Sequence, residues 1–498
     1  MGTEGSGRGG TSISMMEKMF LCLYLSECNF TLLFQKTIFV KLMKRVGKNF
    51  FASHLLILCV AIAMAVLSAC DSSADASGDT DNLTTLSSSS KGKCSSSKAN
   101  ISTAVKSYPD SFKPNDKEYP YASIPRIVIY TENKQKIKDR ETEIPAKLQI
   151  WGKKEAESEV LDLTIRGRGN TSWIMPKKSY KIEFIQKQSM LGMPKDKDWA
   201  LIANYADKSL MRNYIAYRLS AGLGAYYAPR CEFVELYLND VYLGVYLLTE
   251  TIKISKNRVG VPEDDNSFVV EVDGKYRKNE QIVFSDVLTE NGTEKAFRIH
   301  YPKNASRATL DTVQNHIRNF EKFLKSIKAR ENNSVDDWID IDESVKHYWI
   351  QELFKNPDAC FYTSVFFSWV KGKKIMMGPV WDFDLSMANH SSNSVNKAES
   401  WQIRNYWNAY LFKDSLYRES IRNAWKMNHD LFESVSDSID NAYAKIKKAA
   451  QNNFKKWNVL GDTTSSSWKN QTFTSYKESV VYIKNWLSDR IQWIDGQE

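Results

Sequence analysis

The chain has 498 residues, of which 42% are hydrophobic and 12% aromatic, enough for a large core in one or two domains. Its formal net charge is +9, but basic residues mix with Glu and Asp as on a solvated surface, so we expect no nucleic acid partner. The seven cysteines and six histidines are scattered, which argues against a disulfide framework or a zinc cluster.

The N-terminal segment has the pattern of a bacterial export signal. A basic head at Met43–Lys48 precedes an apolar run at Leu55–Val66, and Leu67–Cys70 closes it with small residues and a cysteine. This is a lipoprotein box, and the apolar run is shorter than the roughly 20 residues needed to span a bilayer. A lipid on Cys70 would anchor the mature protein outside the cytoplasm, on a bacterial outer membrane or cell surface.

The residues after Cys70 are rich in Ser, Thr, Ala and Asp, with four serines at 87–90, as in flexible linkers. The predicted segments are an extension upstream of the true start at Met43 (1–42), a lipoprotein signal peptide (43–70), a Ser-rich tether (71–114) and a folded domain (115–498).

Strands come first in the folded domain and helices later, which indicates the α+β class. The strand segments alternate in polarity or are β-branched, and the helical segments show apolar spacing of three and four. We predict strands at Arg126–Tyr130, Ala146–Trp151, Val160–Arg166, Cys231–Leu238, Val241–Leu248 and Phe268–Val272, and helices at 207–223, 307–329, 335–354, within 401–457 and at 474–493.

A glycine-rich turn follows the third strand and carries Arg166 and Arg168. The next strand places Lys178 on the same face as Tyr180 and Ile182. A glycine turn exposes backbone amides, and together with Arg and Lys these suit an anionic ligand such as phosphate. The alternative is a tight hairpin with solvated basic residues.

Two carboxylates, Asp382 and Asp384, follow an apolar strand that ends at Gly378 and Pro379. Acids that project from such a turn can seat a divalent cation. Twenty-four residues before Asp382 lies Asp358, and a strand, a turn and a strand separate them. Phosphoryl-transfer enzymes of the protein-kinase type use this layout. On spacing alone, the alternative is a pair of solvated surface acids.

Several ordered motifs resemble the spore-coat protein H (CotH) kinase family over roughly residues 120–430. They are Arg166–Asn170, Pro176–Lys178, Leu191–Trp199, Asn204–Ser209, Tyr237–Glu250 and Gly378–Asp384. This family comprises atypical, secreted-pathway or spore-associated protein kinases. The resemblance implies an altered kinase-like fold with two lobes and a nucleotide between them.

The resemblance also implies a nucleotide site. Lys178 is similar to the strand lysine that pairs with nucleotide phosphates, and Arg166 and Arg168 lie in the turn expected to cover them. Glu250 lies where the strands lead to the second lobe, near the expected adenine pocket. ATP is therefore the expected cosubstrate.

The same resemblance assigns the reacting end of the site. Asp358 is similar to the catalytic-loop acid that orients and deprotonates the acceptor hydroxyl. Asp382 is similar to the magnesium-binding acid, assisted by Asp384, and metal neutralisation with positioning would supply most of the rate.

The chain departs from typical kinases at two positions. Thr363 stands five residues after Asp358, where typical kinases carry a metal-binding Asn, so a second metal site is not expected. The helix predicted at 207–223 has no Glu to pair with Lys178, and we expect the partner at Glu235 or Glu183.

The leading hypothesis is a magnesium-dependent kinase that transfers the ATP γ-phosphoryl group to Ser or Thr of proteins. Its own Ser-rich tether is a candidate acceptor, and the alternative is that the tether is a spacer only. The rival is a non-catalytic lipoprotein scaffold on a kinase-like fold, since ATP is scarce outside the cytoplasm. A surface glycosidase with Asp358 and Asp382 as its acids would leave the basic elements unexplained.

Overall fold

A computed structural model describes residues 107–290, 292–326, 334–461 and 472–498. The predicted signal peptide, Cys70 and most of the predicted tether lie outside these ranges, so they stay predictions. Among the described helices, none is both long enough and apolar enough to cross a bilayer.

Seven strands of the N-terminal half close into a barrel. Neighbouring strands are antiparallel except β1 and β6, which pair in parallel, with Ile127 opposite Leu236. This pairing joins the two ends of the sheet, so the barrel has no open edge. The strands, which run in the order β1-β2-β3-β4-β5-β7-β6, are β1 (Arg126–Thr131), β2 (Ile144–Trp151), β3 (Leu161–Arg168), β4 (Ser179–Gln188), β5 (Asp196–Ile202), β6 (Cys231–Leu238) and β7 (Val241–Glu250).

The barrel interior is filled because alternate residues of each strand are apolar and point inward. Tyr180 and Ile182 of β4 and Leu248 of β7 are among these buried side chains. The inward face of the barrel is therefore a packed core rather than a ligand site.

A second, antiparallel sheet lies beside a set of helices and is ordered β12-β11-β8-β10-β9. Its strands are β8 (Ser267–Val272), β9 (Ile282–Glu290), β10 (Thr293–Tyr301), β11 (Val365–Val370) and β12 (Met376–Met377). The central strand β8 is buried along its whole length, as expected for a strand covered on both faces.

Four of the ten described helices begin after a residue whose side chain caps them. The side chains of Ser306, Asp340, Asp414 and Ser475 each accept a hydrogen bond from a backbone amide in the first turn. The helices are α1 (Thr171–Ile174), α2 (Arg212–Gly222), α3 (Arg307–Lys325), α4 (Ile341–Leu353), α5 (Asn393–Asn396), α6 (Tyr406–Leu411), α7 (Ser415–Met427), α8 (His429–Glu433), α9 (Val435–Lys456) and α10 (Tyr476–Asp495).

The last helix, α10, completes the larger core. Its Arg490 and Glu352 of α4 form a fully buried ion pair, 2.7 Å apart. The same guanidinium donates to the carbonyl oxygens of Ala398 and Ser400, at 2.7 and 2.8 Å. A buried charge is stable only when it is paired and hydrogen-bonded, so α10 fixes both α4 and this loop.

The predicted α+β class is confirmed, with strands dominating the N-terminal half and helices the C-terminal half. Closure of the strands into a barrel was not predicted, because it depends on pairing between β1 and β6, which are distant in sequence.

Candidate active site

A cavity of about 780 Å³ lies between the barrel and the second sheet, within the size range of small-molecule sites. Strands β3, β4 and β5 supply one wall, and β8 and β10 supply the other. Its charged lining residues include Arg166, Arg168, Lys181, Asp198, Lys253, Glu271, Asp273, Lys275, Arg298, Asp358, Asp382 and Asp384.

Three acids converge at one end of this cavity, and we call Asp358, Asp382 and Asp384 the acid cluster. Burial, reinforced by the charge of Asp382, raises the pKa of Asp358 to about 7. Burial and the neighbouring acids likewise raise the pKa of Asp384 to about 7. Burial also raises the pKa of Asp382, against the opposing effect of Arg168. Crowded, poorly solvated carboxylates of this kind favour a bound cation.

The loop after β12 is held in a conformation that presents Asp382. That residue has a φ of +53°, in the left-handed region that Asp tolerates better than most residues. The hydroxyl of Ser364 donates to its Oδ2 at 3.0 Å, and Nδ2 of Asn356 donates to its carbonyl oxygen at 3.1 Å. These bonds fix the carboxylate in place.

The acid cluster suits a metal ion that a substrate helps to bind. Within the described ranges, one set of three possible metal ligands has its donor atoms within 4.8 Å of one another. This set consists of His429, Asp430 and Glu433 of α8, so the three acids of the acid cluster are not close enough to meet the same criterion. Magnesium in phosphoryl-transfer sites is usually held by one or two carboxylates together with substrate phosphates. The donors in the cavity fit that kind of site rather than a closed protein cage.

Helix α2 holds the loop that carries Asp382 and Asp384, which we call the acid loop. This contact was not predicted from the sequence. Oδ1 of Asn213 accepts from the amide of Phe383, the residue between the two acids of the loop, at 2.7 Å. Arg212 donates to the carbonyl oxygens of Ser386 and Met387, each at 2.9 Å. We call this arrangement the α2 clamp.

A buried ion pair in turn fixes the clamp. Arg212 pairs with Asp207, and both side chains are almost fully buried. Asp207 also accepts from the amides of Ser209 and Arg212, each at 2.9 Å. Asp207 and Ser209 belong to the family motif Asn204–Ser209, whereas Arg212 lies outside every motif, and its contact with the acid loop depends on the tertiary structure.

Basic side chains lie on the barrel wall of the cavity. The guanidinium of Arg168 stacks 5.3 Å from the ring centre of Trp381, beside the acid cluster. Lys181 of β4 forms ion pairs with Asp198 at 2.8 Å and Glu183 at 2.7 Å. Burial alone would lower the pKa of Lys181, but its hydrogen bonds to Asp198 and Glu183 raise it.

The glycine-rich turn borders the same end of the cavity. Gly169 has a φ of +92°, and a Cβ there would lie 1.9 Å from Oγ of Ser172. A Cβ on Gly167 would lie 2.3 Å from the ring of Trp173. Both glycines are therefore required by the shape of the turn.

Five of the seven predicted nucleotide and catalytic residues line the cavity: Arg166, Arg168, Asp358, Asp382 and Asp384. Arg166 is partly engaged elsewhere, since it donates to the carbonyl oxygen of Arg140 at 2.6 Å.

Lys178 and Glu250 are not among the lining residues. The ammonium of Lys178 donates to the carbonyl oxygen of Trp173. Glu250 is fully buried and paired with Arg230 at 2.9 Å. Lys178 precedes β4 on the side that faces the barrel interior, which explains why its side chain does not reach the cavity.

The expected partners of Lys178 are also engaged elsewhere. Glu183 pairs with Lys181. Glu235 accepts from the hydroxyl of Tyr242 at 2.6 Å and from Nδ2 of Asn452 at 3.0 Å.

Thr363, which stands where typical kinases carry a metal-binding Asn, lines the cavity. Its hydroxyl donates to Asp273 at 3.3 Å.

Comparison with known families supports the resemblance seen in the motifs. The model of a family described as CotH kinase protein matches residues 165–494, well over half of the chain. The match starts in β3 and ends in α10, so it includes the C-terminal helices, where no motif was recognised. A search of curated proteins finds no match.

Proposed function

The chain belongs to the CotH kinase family, and from this premise we propose that it is an atypical protein kinase. It would transfer the γ-phosphoryl group of ATP to Ser or Thr hydroxyls of proteins, with magnesium. One observation carries the proposal: acids from two separate segments meet Arg168 and Lys181 in one cavity between the barrel and the second sheet. On this view, these two parts correspond to the two lobes of a kinase.

In the proposed reaction, the acceptor oxygen forms a bond to the γ-phosphorus while the bond to the bridging oxygen of ADP breaks. ADP leaves with the electron pair of that bond. Asp358 orients the acceptor hydroxyl and accepts its proton. The protein contributes positioning and electrostatic stabilisation rather than a covalent intermediate.

Asp382 and Asp384 would hold magnesium, which when bound neutralises charge on the phosphates. We assign the phosphate-pairing lysine to Lys181, because it lies on the cavity wall and is held by Asp198. Arg168 lies on the same wall and adds positive charge. Lys178, at the edge of the barrel interior, would then have no contact with the nucleotide.

We also propose that the enzyme acts outside the cytoplasm, anchored by a lipid on Cys70. The support is the lipoprotein box in the leader at 43–70. Its acceptors would be proteins near the membrane, and the tether would be an acceptor within the same chain.

The test uses the chain from residue 71 onward. Binding of ATP with and without magnesium is measured by calorimetry, and transfer of labelled phosphate is measured to the chain itself and to dephosphorylated casein. We expect Asp358→Asn to keep ATP binding and to lose transfer by about 10²- to 10⁴-fold. Asp382→Asn should abolish the magnesium dependence of binding.

The matched control is Asp162→Asn, an exposed acid on β3 that pairs with Lys147 at the surface. It should behave as the wild type in both measurements. A wild-type chain that binds no ATP in the presence of magnesium would overturn the kinase proposal and favour the scaffold.

A further inference from the structure

We propose that Lys275 is a catalytic residue that contacts the transferred phosphoryl group from the wall formed by the second sheet. This inference rests on the proposed kinase function. Neither the motifs nor the family match singles out this lysine, which lies in the turn after β8 and lines the cavity.

The turn that carries Lys275 is tied to the loop that carries the proposed base. The amide of Gly274 donates to the carbonyl oxygen of Tyr362 at 2.8 Å. The amide of Lys275 and the hydroxyl of Thr363 both donate to Oδ1 of Asp273, at 2.8 and 3.3 Å. Because these bonds join the two segments, the lysine keeps its position relative to the acid.

The side chain of Lys275 is supported as well as its backbone. Its ammonium lies 5.1 Å from the ring centre of Tyr362, which is half-exposed, as in a cation–π contact. A Cβ on Gly274 would lie 2.9 Å from the carbonyl oxygen of Tyr362, so the close approach of the two segments needs a glycine. The cation is thus held against Tyr362 by a residue that lines the cavity.

Lys275 differs from the other lysines of the cavity in its charge environment. Lys181 and Lys253 both pair with Asp198. Lys275 forms no ion pair within 4.0 Å in the part of the chain that the structure describes. It nevertheless lines the same cavity as Asp358 and Asp382.

A cation on the cavity wall that forms no ion pair with a described carboxylate is available to bind an anion in that cavity. The group expected there is the phosphoryl group on its way from ATP to the hydroxyl. Lys275 keeps its proton throughout and forms no covalent bond. Its charge stabilises the equatorial oxygens of the transition state, where fixed positive groups contribute most.

The experiment compares Lys275→Met and Lys275→Arg with the matched control Lys278→Met, an exposed lysine of the same turn that does not line the cavity. Three quantities are measured on the chain from residue 71 onward: kcat for transfer, Kd for ATP with magnesium, and Kd for ADP with magnesium in the presence and absence of aluminium fluoride. Aluminium fluoride with ADP mimics the transferred group.

For Lys275→Met we expect kcat to fall by about 10²-fold or more, as when a preorganised charge-stabilising group is removed. The Kd for ATP should change by less than about threefold, and the tighter binding of ADP caused by aluminium fluoride should be lost. Lys275→Arg should recover part of kcat, and Lys278→Met should match the wild type.

Two results would overturn the role of Lys275 alone: an unchanged kcat in Lys275→Met, or equal losses in kcat and in ATP affinity. The second result would make the lysine a ligand of the bound nucleotide. Failure of the kinase proposal looks different, because the wild type itself would then neither transfer phosphate nor bind ADP with aluminium fluoride, and both proposals would fall together.

Discussion

Lys178 and Lys181 are three residues apart and lie on opposite faces of the barrel wall. Lys178 belongs to the face that carries Tyr180 and Ile182, and this face lines the barrel core. Lys181 points to the opposite face, where it meets Asp198 at the cavity. Successive residues of a strand alternate between faces. Two residues an odd number of positions apart, such as these lysines, therefore lie on opposite faces.

We therefore predict that Lys181→Met weakens ATP binding by at least about tenfold, because a charge-assisted hydrogen bond to phosphate contributes roughly 1.5–3 kcal/mol. Lys178→Met, the matched control, should change the affinity by less than about twofold. Calorimetric titration with ATP and magnesium measures both. Equal losses in the two variants would contradict the assignment of Lys181.

The alternation of residues 178, 180 and 182 is readable from the sequence, and the structure has the same alternation. What the sequence did not reveal is which face of β4 lines the cavity. That depends on closure of the barrel, which fills the inner face with apolar side chains. The acids were easier to predict, because Asp358 and Asp382 lie in turns close in sequence to one hairpin, β11–β12.

Helix α2 links the two halves of the protein at the acid loop. Through the α2 clamp, one residue holds the amide between the two acids and its neighbour holds the carbonyl groups that follow. Typical kinases use a helix carrying Glu to align a lysine. Helix α2 contains no Glu and contacts the acid loop directly.

We predict that Asn213→Leu lowers magnesium-dependent ATP affinity by about tenfold, because the amide of Phe383 loses its acceptor and the acids lose their alignment. The loss of the free energy of unfolding should stay near 1–2 kcal/mol. Calorimetry and urea unfolding give the two values.

The control on the same helix is Arg218→Ala, which changes an exposed side chain and should leave both values near those of the wild type. If the two variants bind magnesium and ATP equally well, the α2 clamp does not position the metal ligands.

Local patterns predicted most helices within a few residues. The helix predicted at 307–329 spans Arg307–Lys325, and the one predicted at 474–493 spans Tyr476–Asp495, since apolar spacing and caps are local signals. Strands β9 and β10 were not predicted, because their charged residues interrupt the alternation. The residues that β10 contributes to the cavity, Arg298 and His300, were therefore missed.

The protein as a whole should be sensitive to mild acid, because it buries a histidine. Burial lowers the pKa of His347 in α4 from 6.5 to about 4. Above the higher value the imidazole is neutral in both states, so it has no effect. Between the two values the unfolded chain binds a proton that the folded chain does not. The free energy of unfolding therefore decreases as the pH is lowered from about 6.5 to about 4.

We predict that His347→Phe removes up to about 3 kcal/mol of the stability lost on acidification from pH 7.5 to pH 4.5. Urea unfolding of both proteins at each pH measures this difference. The comparison at pH 8, where the imidazole is neutral in both states, gives the packing cost of the substitution. Equal losses in wild type and variant would contradict the prediction.

The buried pair between Arg490 and Glu352 makes the candidate site depend on a helix that is distant from it in sequence. Glu352 lies six residues before the proposed base, Asp358, and its partner lies on α10. Without α10, α4 would carry an uncompensated buried acid, and the carbonyl groups of Ala398 and Ser400 would lose their donor. We therefore expect a chain from which α10 is removed to hold a folded barrel but no working cavity.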